Sequence, residues 1–239
     1  QVSEPVLRGR FVFSEGENSR PENILWQEDP RGEICIFTLP QKGFPYVVGG
    51  DTAGDGSDRF TCHVLDNTNA RQSAELVYSG GSELWYTQQA YCLGKYYNDA
   101  LLGVEINYST YPERKLEEWG YSKLYIREKQ DDVTRELSLK KFGWRTDGRT
   151  RPLILANLQT VVRETPDAIC SKALLYEMIT FIRNPEMRPE AAPGEHDDLV
   201  IAAAIAHFIR GQQSYTELDE DYDTHEKLIK KLDTKKKHR

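Results

Sequence analysis

The sequence predicts an α/β fold in which helices cover both faces of a mixed β-sheet. Up to residue 78, short apolar runs separated by turn residues indicate antiparallel strands. Beyond that point, apolar runs alternate with helical periodicity, as in β-α-β units that carry parallel strands. An alanine-rich apolar stretch at residues 197–209 predicts a helix that packs very closely against the sheet.

The first part of the chain contains the antiparallel strands. Residues 1–33 are polar and rich in glycine and proline, so we expect an interdomain linker remnant or a peripheral extension there. The strand predictions that follow are short apolar runs closed by proline, glycine or aspartate. They cover residues 34–39, 46–50, 60–65 and 74–78.

The second part alternates helices and strands. Ser82 is a suitable N-cap for the first helix, and Pro112 suits the first turn of the second. The run at 101–106 alternates too little for a half-exposed strand, so it should be buried on both faces. Residues 127–151 are charged and predict a hairpin or a loop. The predicted helices are 83–98, 111–119, 152–163, 169–183 and 197–209; strands cover 101–106 and 124–126, and 185–193 is irregular.

Composition limits the possible classes of protein. The chain has 239 residues and a formal net charge of −7, and no apolar stretch has the length of a membrane span. It begins with Gln1 and without a basic and apolar leader, so we expect a fragment of a longer protein. The four cysteines lie far apart without metal-ligand spacing, which favours buried free thiols over a zinc site.

The charged C-terminal tail, residues 211–239, differs from the rest of the chain. Residues 217–226 include six acids, and residues 227–239 include seven bases. Such a segment is a solvated helix or a disordered tail, or alternatively a docking segment. The expected organisation is therefore an extension at 1–33, a folded domain at 34–210 and this tail.

Acidic residues at the edges of three distant apolar runs are the main functional signal. Asp51 follows the run 46–50, Glu105 follows 101–104, and Asp197 with Asp198 precedes 199–201. A buried carboxylate is costly unless a cation compensates it. If the strands at 46–50 and 101–106 are parallel neighbours in the mixed sheet, Asp51 and Glu105 can be adjacent, and the helix at 197–209 can present Asp197 or Asp198 from its first turn. Divalent metal held by oxygen ligands would make such a cluster tolerable.

Two metal ions in such a site would hydrolyse a phosphodiester without a protein nucleophile. Neither a Ser/His nor a Cys/His constellation is recognisable in the sequence, in agreement with that chemistry. Magnesium and manganese both suit carboxylate ligands, and the sequence does not distinguish them. His196 precedes the acidic pair, as a helix-cap residue or as a group that positions water or a ligand.

Five segments carry a family resemblance. Residues 50–58, 103–107 and 193–200 read GDTAGDGSD, GVEIN and PGEHDDLV; residues 141–146 and 175–181 read KFGWRT and LYEMITF. This ordered set, which covers about residues 34–210, resembles the nuclease domain of the large terminase subunit of tailed bacteriophages. The resemblance implies an RNase H-like fold with a central mixed five-stranded sheet, and an endonuclease that cuts concatemeric viral DNA during packaging.

The resemblance also implies residue roles and partners. Asp51, Glu105 and Asp197 or Asp198 would be catalytic ligands of two Mg²⁺ or Mn²⁺ ions, and Asp58 would be an auxiliary acid. Large terminases also carry a packaging ATPase, but no P-loop motif occurs here, so that domain would belong to the missing part of the chain. Expected partners are double-stranded DNA, the portal and the small terminase subunit, in the cytoplasm of an infected or lysogenic bacterium.

A basic segment within this acidic chain is the predicted DNA contact. Residues 140–151 hold five bases against one acid: Lys140, Lys141, Arg145, Arg149 and Arg151. With Trp144 and Phe142 they could rest on the phosphate backbone, or they could form a solvated hairpin. Contacts to phosphate would suffice, because cutting during packaging need not read the base sequence.

Three other functions remain open from the sequence. A Holliday-junction resolvase or a transposase core would use the same chemistry on different DNA. A sugar-kinase or actin-like ATPase also has an aspartate before a Gly/Thr turn, but it needs a second phosphate loop that this chain lacks. A non-catalytic docking module of the packaging machine would leave the carboxylates inert.

Overall fold

A seven-stranded mixed sheet forms the centre of the molecule. The computed structural model describes residues 2–54, 59–127 and 141–213. In chain order the strands are β1 (Leu7–Glu15), β2 (Pro21–Glu28), β3 (Ile34–Ile36), β4 (Tyr46–Asp51), β5 (Phe60–Asp66), β6 (Gln72–Tyr78) and β7 (Leu101–Val104). Their order across the sheet is β2-β1-β3-β6-β5-β4-β7. Strands β4 and β7 pair in parallel, whereas the other neighbours in this sheet are antiparallel.

The predicted mixed α/β architecture is confirmed, but the predicted strand count was too low. Strands β4 to β7 correspond to the predicted strands at 46–50, 60–65, 74–78 and 101–106, and β3 lies in the predicted run 34–39. Strands β1 and β2 add to the β3 edge, so part of residues 1–33 belongs to the sheet itself. Gln89 fastens this extension, because its side chain bonds both the backbone N–H and the carbonyl of Phe11, each at 2.9 Å.

Helices cover both faces of the sheet, as predicted. They are α1 (Glu83–Tyr96), α2 (Tyr111–Glu118), α3 (Thr150–Glu164), α4 (Lys172–Thr180) and α5 (Asp198–Ile209). One core lies beneath α1 and α2, and the second lies beneath α3, α4 and α5. The Ser82 hydroxyl caps α1 by accepting from the Trp85 N–H at 3.2 Å, and Pro112 lies in the first turn of α2.

Two segments differ from the expected elements. Helix α4 ends at Thr180, and the chain continues in the hairpin β10 (Phe181–Arg183) and β11 (Pro189–Ala191) where a longer helix and an irregular stretch were predicted. Residues 124–127 do not form a full strand of the main sheet. Leu124 makes one bridge to Leu102, and β8 (Ile126–Arg127) pairs with β9 (Lys141–Phe142).

Helix α5 lies unusually close to β4, as its alanines predicted. A β-carbon placed on Gly49 would be 2.3 Å from the Ala202 carbonyl oxygen and 2.4 Å from the Ala206 nitrogen. Only glycine therefore fits at this position of β4. The close approach holds the middle of α5 against β4.

Two buried histidines lie between β5 and α5. The rings of His63 and His207 are 5.7 Å apart, and within the described residues none of their nitrogens has a hydrogen-bond partner. Burial lowers the pKa of His63 well below its ordinary value, with the neighbouring His207 as a second cause. Burial, and then the charge of Arg210, lowers the pKa of His207 to about 4.

Acid should destabilise the fold through this pair. Below pH 6.5 the unfolded chain binds protons at histidine, whereas His207 in the folded state stays neutral down to a pKa of about 4, so stability falls as pH falls. Urea unfolding at pH 7 and pH 4.5 measures the effect. We expect wild type to lose about 2 kcal/mol more than His207→Leu over this range. Equal losses would contradict the assignment.

The remaining sequence predictions concern the chain ends and the cysteines. None of the helices in the described part of the chain is long and apolar enough to cross a membrane. Cys62 and Cys92 are buried as expected, but Cys35 and Cys170 are only half-buried. The charged tail lies outside the described residues except for residues 211–213. The division of the chain at residues 33 and 210 remains a prediction.

Candidate active site

The parallel pair of strands places two carboxylates side by side. Gly50 of β4 is opposite Val104 of β7, so Asp51 and Glu105 both lie where their strands end at the same edge of the sheet. The Glu105 N–H donates to the Gly50 carbonyl oxygen at 2.9 Å and continues the ladder by one residue. Both acids are buried, with exposed fractions of 7% and 5%.

Helix α5 brings the third carboxylate to this edge. Asp198 is the first residue of α5 and is buried, and its carbonyl oxygen accepts the Thr61 hydroxyl of β5 at 2.9 Å. Thr61 is opposite Asp51 in the β4–β5 pairing. The structure therefore assembles Asp51, Glu105 and Asp198 from three elements that are far apart in sequence.

The electrostatics of Asp51 show that the acids act on one another. Burial raises the pKa of Asp51 well above its usual range. The charge of Glu105 and a side-chain hydrogen bond to it raise the pKa further, followed by the charges of Asp198 and Asp197. Without positive charge nearby, this cluster therefore disfavours the ionised form of Asp51.

Asp197 and Asp198 have different surroundings, which the sequence could not distinguish. Asp198 is directed to the buried side and contacts Arg59 and, through one oxygen, His196 Nδ1 at 3.3 Å. Asp197 precedes the helix, and its half-buried side chain forms an ion pair with Arg151 at 2.7 Å. Asp198 is thus the better candidate for the third carboxylate beside Asp51 and Glu105, and Asp197 is its neighbour.

Arg59 and Glu177 belong to the site but were not predicted from the sequence. The Arg59 guanidinium bonds Asp198 through Nε at 3.1 Å and Glu177 Oε1 through Nη2. The other oxygen of Glu177 accepts from the N–H groups of Leu199 and Val200, at 2.8 and 3.2 Å, in the first turn of α5. Burial raises the pKa of Glu177 to about 7, although Arg59 opposes the shift.

One signal for Glu177 was present in the sequence. It is an isolated acid in the apolar run 174–179, and a charge there needs a partner if the helix is buried. Arg59 gave no such signal, because its partners follow it by 118 and 139 residues.

The donor set suits a divalent metal in kind, because it consists of carboxylate oxygens. Across residues 2–54, 59–127 and 141–213, however, no three His, Cys, Asp or Glu side chains are arranged so that they could hold an ion. Asp198 faces Arg59 and Asp197 faces Arg151, so cations of the chain itself engage the two aspartates. The predicted auxiliary residue Asp58 lies outside the described residues.

The basic segment is attached directly to this edge of the sheet. Trp144 bridges to Glu105, and backbone hydrogen bonds of 2.8 Å join Trp144 to Val104 and Ile106. The backbone N–H of Thr146 then donates a hydrogen bond to the side-chain oxygen of Asn107 at 3.0 Å. The loop that follows Trp144 therefore lies next to the carboxylates.

The predicted DNA-contact residues fall into three groups. Lys141, Arg145 and Arg149 are exposed, whereas Arg151 is half-buried against Asp197, and Lys140 lies outside the described residues. The expectation that Trp144 rests on DNA is wrong. Its side chain is only 5% exposed, because it packs against Tyr125 and Phe208.

Known structures resemble this chain in fold. No protein-family model matches the sequence, and no curated protein matches it. The large terminase nuclease of the thermophilic phage G20c with bound magnesium matches with a TM-score of 0.60 and 15% identity, over 75% of this chain and 89% of that one. The same nuclease with bound zinc has a TM-score of 0.54 and 14% identity, over 78% and 91%.

The nuclease domain of the large terminase of Thermus phage P74-26 is also similar. Its TM-score is 0.57 at 16% identity, over 79% of this chain and 92% of the phage domain. The resemblance noted in the sequence is therefore confirmed at the level of the fold, over most of the chain.

Proposed function

We propose that this chain is a metal-dependent DNA endonuclease that cleaves concatemeric viral DNA during genome packaging. One observation carries the proposal: Asp51, Glu105 and Asp198 meet at the carboxyl edge of parallel strands in a fold shared with large terminase nucleases. Those solved nucleases bind magnesium, cobalt or zinc. A divalent ion is correspondingly the cofactor expected here.

Asp51, Glu105 and Asp198, together with Asp197, would hold two Mg²⁺ or Mn²⁺ ions. When bound, such ions lower the pKa of a bound water and stabilise the leaving oxygen of a phosphodiester. The protein contributes position and burial. The ladder bond from Glu105 to Gly50 fixes two of the carboxylates relative to each other, and the Thr61 hydroxyl fixes the beginning of α5.

The site supports this function better than the alternatives. A resolvase or transposase core would share the carboxylates, but solved structures that match this chain include large terminase nucleases. Burying several acids at one point costs free energy, and the raised pKa of Asp51 reflects that cost. A non-catalytic docking module would give no reason for such an arrangement. Double-stranded DNA, the packaging ATPase domain of the full-length protein, the portal and the small terminase subunit are the proposed partners.

Cleavage of supercoiled plasmid tests the proposal. The purified chain is incubated with plasmid and Mn²⁺ or Mg²⁺, and with EDTA as the control. We expect nicked and linear products with metal and none with EDTA. Intact plasmid with both metals, at protein concentrations that bind DNA, would favour the non-catalytic docking module. Cleavage only of branched DNA would favour a resolvase.

The exposed bases beside the site should bind the phosphate backbone. Replacing Lys141, Arg145 and Arg149 by Ala removes up to three phosphate contacts, so log Kd should depend less steeply on log salt, by about one to three units of slope. Fluorescence anisotropy with labelled duplex from 50 to 200 mM salt measures this. The control replaces Arg71, Lys95 and Lys172, which lie toward the opposite end of the sheet. Equal slopes for both triple variants would contradict the assignment.

A further inference from the structure

Arg59 contacts two carboxylates, and the structure holds one of them more firmly than the other. Its Nη2 bonds Glu177, and its Nε bonds Oδ2 of Asp198 at 3.1 Å. The Glu177 side chain is 5% exposed and is fixed by two backbone N–H groups of α5. Glu177 therefore stays in place as a tether for Arg59. Within the described residues, by contrast, no backbone N–H donates to the Asp198 carboxylate, which contacts the side chains of Arg59 and His196.

The contact between Arg59 and Asp198 excludes another cation from that oxygen. A carboxylate oxygen directed at a guanidinium at hydrogen-bond distance is not free to bind a metal ion. Asp198, which is paired with Arg59, is also one of the acids whose charge raises the pKa of the buried Asp51. Asp198 is thus both a proposed metal ligand and the partner of Arg59 in an ion pair.

We propose that Arg59 competes with the divalent metal for Asp198 and so sets the metal concentration at which the site fills. This inference rests on the proposed function, because it concerns the same metal site. Arg59 is then a positioning residue. Metal entry exchanges the Arg59–Asp198 ion pair for coordination, while the buried ion pair with Glu177 keeps the guanidinium beside the site.

The competition predicts a gain of affinity on mutation. Arg59→Gln removes the competing cation and one positive charge, so Mn²⁺ should bind roughly tenfold more tightly or better. Arg59→Lys should give a smaller gain, because a single ammonium cannot reproduce the two-sided contact of a guanidinium. If Arg59 were merely structural, its loss would loosen α5 and weaken metal binding.

Two controls separate competition from a general effect of charge. The double variant Arg59→Gln/Glu177→Gln has the same net charge as wild type but lacks the Arg59–Asp198 contact, so competition predicts that it still binds Mn²⁺ more tightly. Arg151→Gln removes one positive charge from Asp197 instead. It should tighten binding less than Arg59→Gln does.

Titration of Mn²⁺ in the absence of DNA, followed by electron paramagnetic resonance of the free ion, decides the matter. Thermal unfolding first establishes that each variant is folded; Arg59→Lys serves if Arg59→Gln is not. Tighter binding by Arg59→Gln and by the double variant supports competition. If wild type binds Mn²⁺ and cuts DNA but the variants bind Mn²⁺ equally or more weakly, the competition proposal is wrong and the proposed metal site stands. Absence of binding in wild type and all variants overturns the proposed metal site as well.

Discussion

Asp51→Asn should abolish plasmid cleavage while leaving the protein at least as stable as wild type. The loss should be at least about a thousandfold, or roughly 4 kcal/mol of transition-state stabilisation, because this variant removes a carboxylate at the centre of the proposed metal site. Stability should not fall, because the buried carboxyl of Asp51 lies among other acids that raise its pKa. The neutral amide removes that repulsion, so the melting temperature should stay level or rise by a few degrees.

The two adjacent aspartates provide a matched comparison. Asp198→Asn should reduce cleavage at least about a hundredfold, whereas Asp197→Asn should reduce it less, because Asp197 is half-buried and paired with Arg151. Asp167→Asn, in an exposed ion pair with Arg71, should have no effect. Rates come from single-turnover nicking with Mn²⁺ at matched enzyme concentration. Cleavage that survives Asp51→Asn would reject the proposed catalytic set.

Gly49→Ala should strongly destabilise the fold. The new methyl group would meet the backbone of α5 at Ala202 and Ala206, at 2.3 and 2.4 Å, and neither atom can move without shifting the helix. We expect a loss of about 3 kcal/mol or more in the free energy of unfolding, and a melting temperature lower by about 10 °C.

Gly148→Ala is the matched control for Gly49→Ala. An added β-carbon at Gly148 has no atom within 4 Å, and its φ is not positive, so the cost should stay below about 1 kcal/mol. Chemical unfolding of the two variants and wild type measures the difference. A cost for Gly49→Ala within 1 kcal/mol of the control would mean that α5 does not lie so close to β4.

The local patterns of the sequence predicted the centre of the fold well. Apolar runs at 46–50 and 101–106 became β4 and β7. The parallel pairing of these strands, which was only a condition in the prediction from sequence, joins Asp51 to Glu105. The alanines of 197–209 predicted the close contact of α5. These signals are strong because burial on both sides leaves little choice of side chain.

The sheet edge and the hairpin were missed for physical reasons. Strands β1 and β2 expose many of their side chains and hold only short apolar runs, at 11–13 and 24–26, between polar residues, so they resemble a linker. Residues 181–183 follow an amphipathic helix without a glycine or proline between them, so helical periodicity seemed to continue. In both places the strand forms through pairing with a neighbour and not through local preference.

The site was predicted only in part. The acids could be found because carboxylates beside apolar runs are conspicuous, but the pair Asp197 and Asp198 looks symmetrical in sequence. Their difference depends on Arg151 and Arg59, which reach them across 46 and 139 residues. Side-chain pairs at such separations are set by tertiary packing, which local patterns do not encode.

A crystal structure of the chain soaked in Mn²⁺ tests the central claim most directly. We expect anomalous density between Asp51 and Glu105, with the Asp198 carboxylate turned from Arg59 toward the ion. Anomalous density elsewhere on the molecule, or none at a Mn²⁺ concentration that supports cleavage, would contradict it.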